Sequence, residues 1–129
     1  MEKGINMTIQ ESLDFFKVQS LSCRTMEICG FLGEKDGNYI PKMVKNKHPN
    51  PKEHFSIDPL EMLRFCRENK MVAVFHSHLV GDSSPSEFDK VNSDNTLFPF
   101  LIYSLPQKKF GLYQPPDHNC NVIELIKQL

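Results

Sequence analysis

Tryptophan is absent from this chain, and net charge is nearly so, at −1 at neutral pH over 129 residues. A balance so close to zero removes the electrostatic case for a nucleic-acid partner or an anionic membrane surface. Long apolar runs are missing too. Nothing is long enough to span a bilayer, and the opening MEKGINMTIQ holds no apolar core of a signal peptide. Cysteine is sparse: Cys23, Cys29, Cys66 and Cys120 stand singly, with no CxxC pair. That argues against a disulfide framework and a cysteine-rich zinc knuckle, and it makes a reducing, cytoplasmic setting the expectation. Cys29 and Cys66 fall inside apolar patterns, where a buried free thiol is expected. There is no internal repeat and no low-complexity segment. The length suits one domain, residues 1–129, with a single sizeable core.

What is present is an alternation of helical and extended patterns. Thr8-x-x-Glu11 has the form of a capping box, and Ile9, Leu13 and Phe16 recur at helical spacing, which predicts a helix over 9–19. Residues 27–33 read as a strand, Asp36-Gly37 as a turn, and 39–44 as the returning strand. Asp58-Pro59 opens a second helix, with Asp at the N-cap and Pro at the first helical position. Met62, Leu63, Phe65 and Cys66 are its expected apolar face. Residues 71–75 form a short buried strand, 79–85 a loop, and Ser86 caps a helix over 87–95. Strands follow at 100–105 and 109–114, and 122–126 is a further strand or helix. The order predicts a single-domain α/β fold, a mixed sheet flanked by helices.

The end of the 71–75 strand carries His76-Ser77-His78. Imidazoles at i and i+2 on a strand point to the same side of the sheet. Asp89 can return from the next helix as a third ligand. Three N/O ligands with an open fourth position describe a catalytic rather than a structural zinc site. Other HxH chemistries fit less well. An amidohydrolase needs a full barrel of about 250 residues. The HxHxDH pattern of metallo-β-lactamases is broken at Val80, and there is no HExxH helix. His48, His54 and His118 lie in polar, proline-flanked or loop settings. Taken singly, each residue has a plainer role: Ser86 as an N-cap, Asp89 as a first-turn carboxylate, Glu27 as a strand-edge residue, Asp82 as part of an exposed turn.

The combination resembles the JAMM (MPN-domain) metalloproteases. Glu27-Ile28-Cys29-Gly30-Phe31-Leu32 is similar to that family's E-x-x-G-hydrophobic-L strand. His76 and His78, then seven residues, then Ser86 and Asp89 match its H-x-H-x7-S-x2-D motif position for position. Asn46, Pro49, Phe55 and Asp58-Pro59 resemble the family's segment between the second strand and second helix. The likeness covers about residues 5–115. It departs at Leu79, where the family commonly has proline, which bears on the 79–85 loop and not on any ligand.

The resemblance implies an MPN/JAMM, cytidine deaminase-like architecture. It implies that His76, His78 and Asp89 hold Zn2+ with a water as fourth ligand. Glu27 would then be the general base and Ser86 the oxyanion donor. It further implies a deubiquitinase-like isopeptidase or peptidase acting on the tail of a ubiquitin-like or sulfur-carrier protein. So compact a chain is expected to be a prokaryotic or phage-type member. In the phage case it would be virion-associated, with a tail protein or peptidoglycan cross-link as substrate. A non-catalytic, zinc-containing interaction module is the alternative from a different class.

Overall fold

A computed structural model describes residues 7–116. The 122–126 expectation, His118 and Cys120 lie outside them. In chain order the elements are α1 (Ile9–Ser22), β1 (Cys29–Lys35), β2 (Asn38–Val44), α2 (Pro59–Glu68), β3 (Lys70–His78), α3 (Glu87–Thr96), β4 (Phe100–Ser104) and β5 (Lys109–Tyr113). The five strands form one mixed sheet in the order β2-β1-β3-β4-β5. Only β3 and β4 run parallel, joined by the α3 crossover. This is the expected α/β arrangement, and it sets the N-terminus of α3 beside the C-terminal end of β3.

The predicted caps form. Thr8 Oγ1 accepts from the Glu11 amide at 3.1 Å and Glu11 Oε1 from the Thr8 amide at 2.9 Å. Asp58 Oδ1 accepts from the Leu60 amide at 2.9 Å. With its first amides satisfied, α1 buries Leu13 and Phe16 on one face of the sheet, where Phe16 stacks on Phe75 with ring centroids 4.2 Å apart. The other face holds Cys29, Phe31, Phe55, Phe65, Val74 and Phe100. Burial, followed by the nearby Glu27 carboxylate, pushes the Cys29 thiol up to about 12, so it stays protonated as expected of a core cysteine.

Helix α2 corrects the expectation for its apolar face. Phe65 is buried, but Leu63 is 54% exposed and Cys66 lies on the surface. Residues 63 and 66 are three apart and share one side of the helix, whereas Met62 and Phe65 share another. The helix docks through the second pair. Phe65 lies where a Cβ on Gly33 would be, 2.5 Å from the nearest ring atom. That close approach turns Leu63 and Cys66 outward.

Strand β2 lies at one edge of the sheet. The Tyr39 amide faces outward, donating to the Met7 carbonyl at 3.0 Å. Alternation puts Pro41 at the next outward position, so the middle of this edge offers no N–H there. Among the described residues no helix is long and apolar enough to cross a membrane.

Candidate metal centre

Strand β3 turns its alternation into a ligand pair. Val74 faces the Phe55–Phe100 side of the core, and His76 and His78 continue that face toward the strand end. His76 is completely buried, stacked on Phe55 with ring centroids 4.3 Å apart and edge-on to Phe100 at 5.6 Å. His78, at the strand terminus, is partly open to solvent.

Helix α3 brings the carboxylate. Ser86 Oγ accepts from the Asp89 amide at 3.0 Å, and Asp89 Oδ2 accepts from the Ser86 amide at 3.0 Å, a reciprocal capping box with Asp at the third position. The box fixes the rotamer of a carboxylate that is only 3% exposed. Its Oδ1 lies 3.1 Å from His76 Nε2 and its Oδ2 3.0 Å from His78 Nε2, while the two Nε2 atoms are 3.2 Å apart. Ligands of a tetrahedral ion at bond lengths of about 2.1 Å sit roughly 3.4 Å from one another. The three side chains are thus spaced and typed to hold a metal ion.

The proton arrangement agrees with that use. His78 Nδ1 lies 2.9 Å from the Asp82 carbonyl, which can only accept, so Nδ1 carries the hydrogen. In the neutral ring this leaves the Nε2 lone pair free and aimed at the cluster, as in metal sites where a carbonyl orients the ligand from behind. Asp82 therefore contributes its backbone, and its carboxylate instead accepts from the Ser84 amide. Without a metal, burial opposes the Asp89 charge, but hydrogen bonds from His76 and His78 outweigh it and hold the carboxyl well below its usual range. Burial lowers the His76 pKa despite Asp89. For His78 burial also acts downward, but the hydrogen bonds to Asp89 and Asp82 leave it raised. One positive centre is called for, shared among three donors.

Beyond the His78–Asp82 contact, the 79–85 loop is held at two further points. Ser104 Oγ donates to the Gly81 carbonyl at 2.8 Å. Gly111 lets the Ser83 carbonyl come within 2.1 Å of where a Cβ would lie.

Glu27 lies just before β1, not inside a strand as the sequence predicts. Cys29 pairs with His76, and the same register carried two residues back sets Glu27 across from His78. Ser77 secures this end. Its amide donates to the Ile28 carbonyl at 3.0 Å and its Oγ accepts from the Ile28 amide at 3.0 Å. Glu27 is 6% exposed. Burial pushes its carboxyl up to about 8, with His78 opposing the rise and Asp89 adding to it. Beside it opens a cleft of about 520 Å³, walled by Gln19, Met26, Val44 and Asn46 among others.

Of the residues singled out from the sequence, His76, His78 and Asp89 converge, Glu27 lies alongside and Ser86 sits at the rim as the cap. His54 is half-buried and not on the open surface: its ring packs against Phe88 at 4.5 Å and His48 at 5.0 Å. Sequence reading missed the supporting roles of Ser77 and Phe55. The first was signalled only by its place between the two histidines.

The model of prokaryotic homologues of the JAB domain, Prok-JAB, matches residues 13–112. The chain belongs to that family. The JAMM likeness read from the motif thus stands, and the Prok-JAB match takes in all of the site. The tail tip assembly protein K of Escherichia phage N15 is 31% identical over 108 residues, covering 82% of this chain and 44% of the phage protein. The desampylase of Pyrococcus furiosus is 33% identical over 75 residues, covering 54% of this chain and 53% of the desampylase. The chain therefore spans about half the length of the curated relatives it matches. A solution structure of a Desulfitobacterium hafniense protein superposes with a TM-score of 0.64 at 29% identity, covering 84% of this chain and 81% of the other. A Salinibacter ruber solution structure superposes with a TM-score of 0.50 at 17% identity, covering 90% and 95%, and bears on the fold alone.

Proposed function

We propose that residues 1–129 form a single zinc metalloprotease domain that hydrolyses a peptide or isopeptide bond at the C-terminal tail of a ubiquitin-like or sulfur-carrier protein. The observation that carries this reading is the convergence of His76 Nε2, His78 Nε2 and the Asp89 carboxylate within 3.0–3.2 Å, with the buried acid Glu27 alongside. Two imidazoles and one carboxylate leave a fourth position open, the donor set of catalytic zinc. Zinc there would supply Lewis acidity, bringing the pKa of a water toward about 7 and polarising the scissile carbonyl.

The chain's own groups do the rest. Glu27 takes a proton from the attacking water and hands it to the leaving amine. Burial raises its pKa in the metal-free protein, and the positive charge of a zinc ion nearby would favour the ionised form that accepts the first proton. Ser86 Oγ accepts from the Asp89 amide and keeps its own hydrogen to donate, so it stabilises the developing oxyanion. Asp89 stays ionised, its Oδ2 accepting from the Ser86 amide and its charge matched by the ion it would share with the two histidines. An extended tail would reach the site along the cleft beside Glu27, at the end of β2 beyond Pro41.

The desampylase relative supports a ubiquitin-like substrate. A second reading, processing within phage tail assembly or on cell-wall peptide, draws on the likeness to tail tip assembly protein K across 82% of the chain. A cleavage screen separates the two. Ubiquitin-like fusions, sulfur-carrier C-terminal adducts and peptidoglycan fragments are offered to zinc-loaded protein, with and without chelator. The first reading expects chelator-sensitive release at the end of a fused tail. Cutting of cell-wall peptide alone favours the second. A folded, zinc-bound protein that cuts nothing supports the non-catalytic module.

A further inference from the structure

The regular ladder between β1 and β2 ends at Cys29 opposite Val44. Carried two residues further, its register sets Glu27 opposite Asn46. No backbone pairing of these two residues continues the strands. The side chain of Asn46 bridges the gap instead. Its Nδ2 donates to the Glu27 carbonyl at 2.8 Å and to the His54 carbonyl at 3.0 Å. Its Oδ1 accepts from the His48 amide at 3.0 Å and the Ser56 amide at 3.1 Å. Two carbonyls face one end of the amide and two N–H groups the other, so only one orientation satisfies all four. The Glu27 amide itself donates to the Pro51 carbonyl at 2.7 Å. Both backbone polar groups of Glu27 are therefore held by the 46–56 loop.

The same loop reaches the metal centre by its other end. Phe55 stacks on His76, and His48 and His54 pack on Phe88, the neighbour of Asp89. One loop thus bears on the acid and on the ligands together, and Asn46 is where its turns are tied.

We propose that Asn46 is a positioning residue for Glu27: it locks the backbone of that acid to the loop that buttresses His76, and so fixes the distance between the proton acceptor and the hydrolytic centre. Asn46 has no part in touching the reacting atoms. The inference rests on the reading of Glu27 as the general base. Its leverage is geometric, since a displacement of about 1 Å in a reacting group can cost roughly 100-fold in rate.

Asn46→Asp is the informative change. It keeps an acceptor for His48 and Ser56 and replaces the donor to Glu27 and His54 with an oxygen facing two carbonyls. The zinc-loaded variant is compared with wild type and Glu27→Gln, using zinc content, kcat and KM on a tail-fusion substrate, and amide hydrogen exchange. The expected result is full zinc content and kcat lowered about 10- to 100-fold with KM little changed. Exchange at the Glu27 amide should be faster, while the His48 and Ser56 amides stay protected. Asn46→Ala should loosen all three amides.

Wild-type kcat in Asn46→Asp despite faster exchange at Glu27 overturns the proposal but leaves the base assignment intact if Glu27→Gln is inactive. Loss of zinc in step with activity also overturns it, since Asn46 would then merely support the fold. A fully active Glu27→Gln removes the base assignment and the positioning role with it.

Discussion

The imidazole of His76 lies nearly flat on the ring of Phe55, with centroids 4.3 Å apart and planes 22° from parallel. Its Nδ1 is buried and has no hydrogen-bond partner among the described residues. The orientation that a polar group usually imposes on a metal-ligating histidine is here imposed by aromatic packing. Phe55→Ala should cost about 3–5 kcal/mol of stability and weaken zinc binding roughly 10-fold in a chelator competition. Phe55→Leu should recover most of both. Undiminished zinc affinity in folded Phe55→Ala would show that the stacking does not orient the ligand.

Asp89 is both a ligand candidate and half of a capping box, and its partner Ser86 separates the two roles. Asp89→Ala should lose bound zinc as well as the cap. Ser86→Ala should keep its zinc, lose about 1 kcal/mol of stability, and slow cleavage by roughly 100- to 1,000-fold as an oxyanion donor is removed. Metal analysis, thermal denaturation and a rate measurement read the three effects independently. Cleavage at the wild-type rate in Ser86→Ala would leave that serine as a cap and nothing more.

Two apolar clusters on opposite faces of the sheet supply the core without a metal, so the chelated protein is expected to stay folded. Its stability should then depend on pH through Glu27. The carboxyl ordinarily titrates near 4.5 and is raised to about 8 in the fold. The folded state therefore holds a proton that the unfolded chain has released between these values, and stability falls as pH rises through that window. His78, also raised, acts in the same direction above its ordinary value of 6.5, while His76, lowered by burial, opposes the fall below that value. Glu27→Gln should flatten the fall in melting temperature between pH 4.5 and 8. An equally steep fall in the variant would place its origin elsewhere.

Leu97 closes α3 in the left-handed region, at φ 64° and ψ 17°, with its side chain 55% exposed. A leucine there carries a steric penalty of about 1–2 kcal/mol and gains little from burial. Leu97→Gly should raise stability by up to about 1 kcal/mol once the flexibility of glycine in the unfolded chain is set against it. Activity should not change, because the residue stands at the far end of α3 from Asp89. A drop in melting temperature would show that the leucine side chain matters more than its backbone strain.

Much of this molecule could be read from local patterns. Thr8 with Glu11, Asp58 with Pro59, and Ser86 each act within one helical turn, and each cap stands where its residue types require. The His76–His78 pair was legible because strand alternation converts spacing directly into direction. The face of α2 was not, because which side of a helix is buried depends on where it docks, and here Gly33 draws Phe65 onto the sheet and leaves Leu63 outside. Glu27 was legible only through the family motif, since the site residues it works with, Asn46 and His78, lie 19 or more positions away along the chain. The full work of Asn46 was hidden for the same reason. Its four partners come from Glu27 just before β1 and from three points of an irregular loop, and no periodicity announces them.

The most direct measurement is the cleavage rate of Glu27→Gln against wild type, with both confirmed to carry one zinc per chain, on whichever tail fusion the wild type cuts. Metal retained with turnover abolished is the predicted result, because the amide preserves shape and cannot accept the proton. Turnover at the wild-type rate would contradict the account, since the buried acid beside His78 would then play no part in the chemistry.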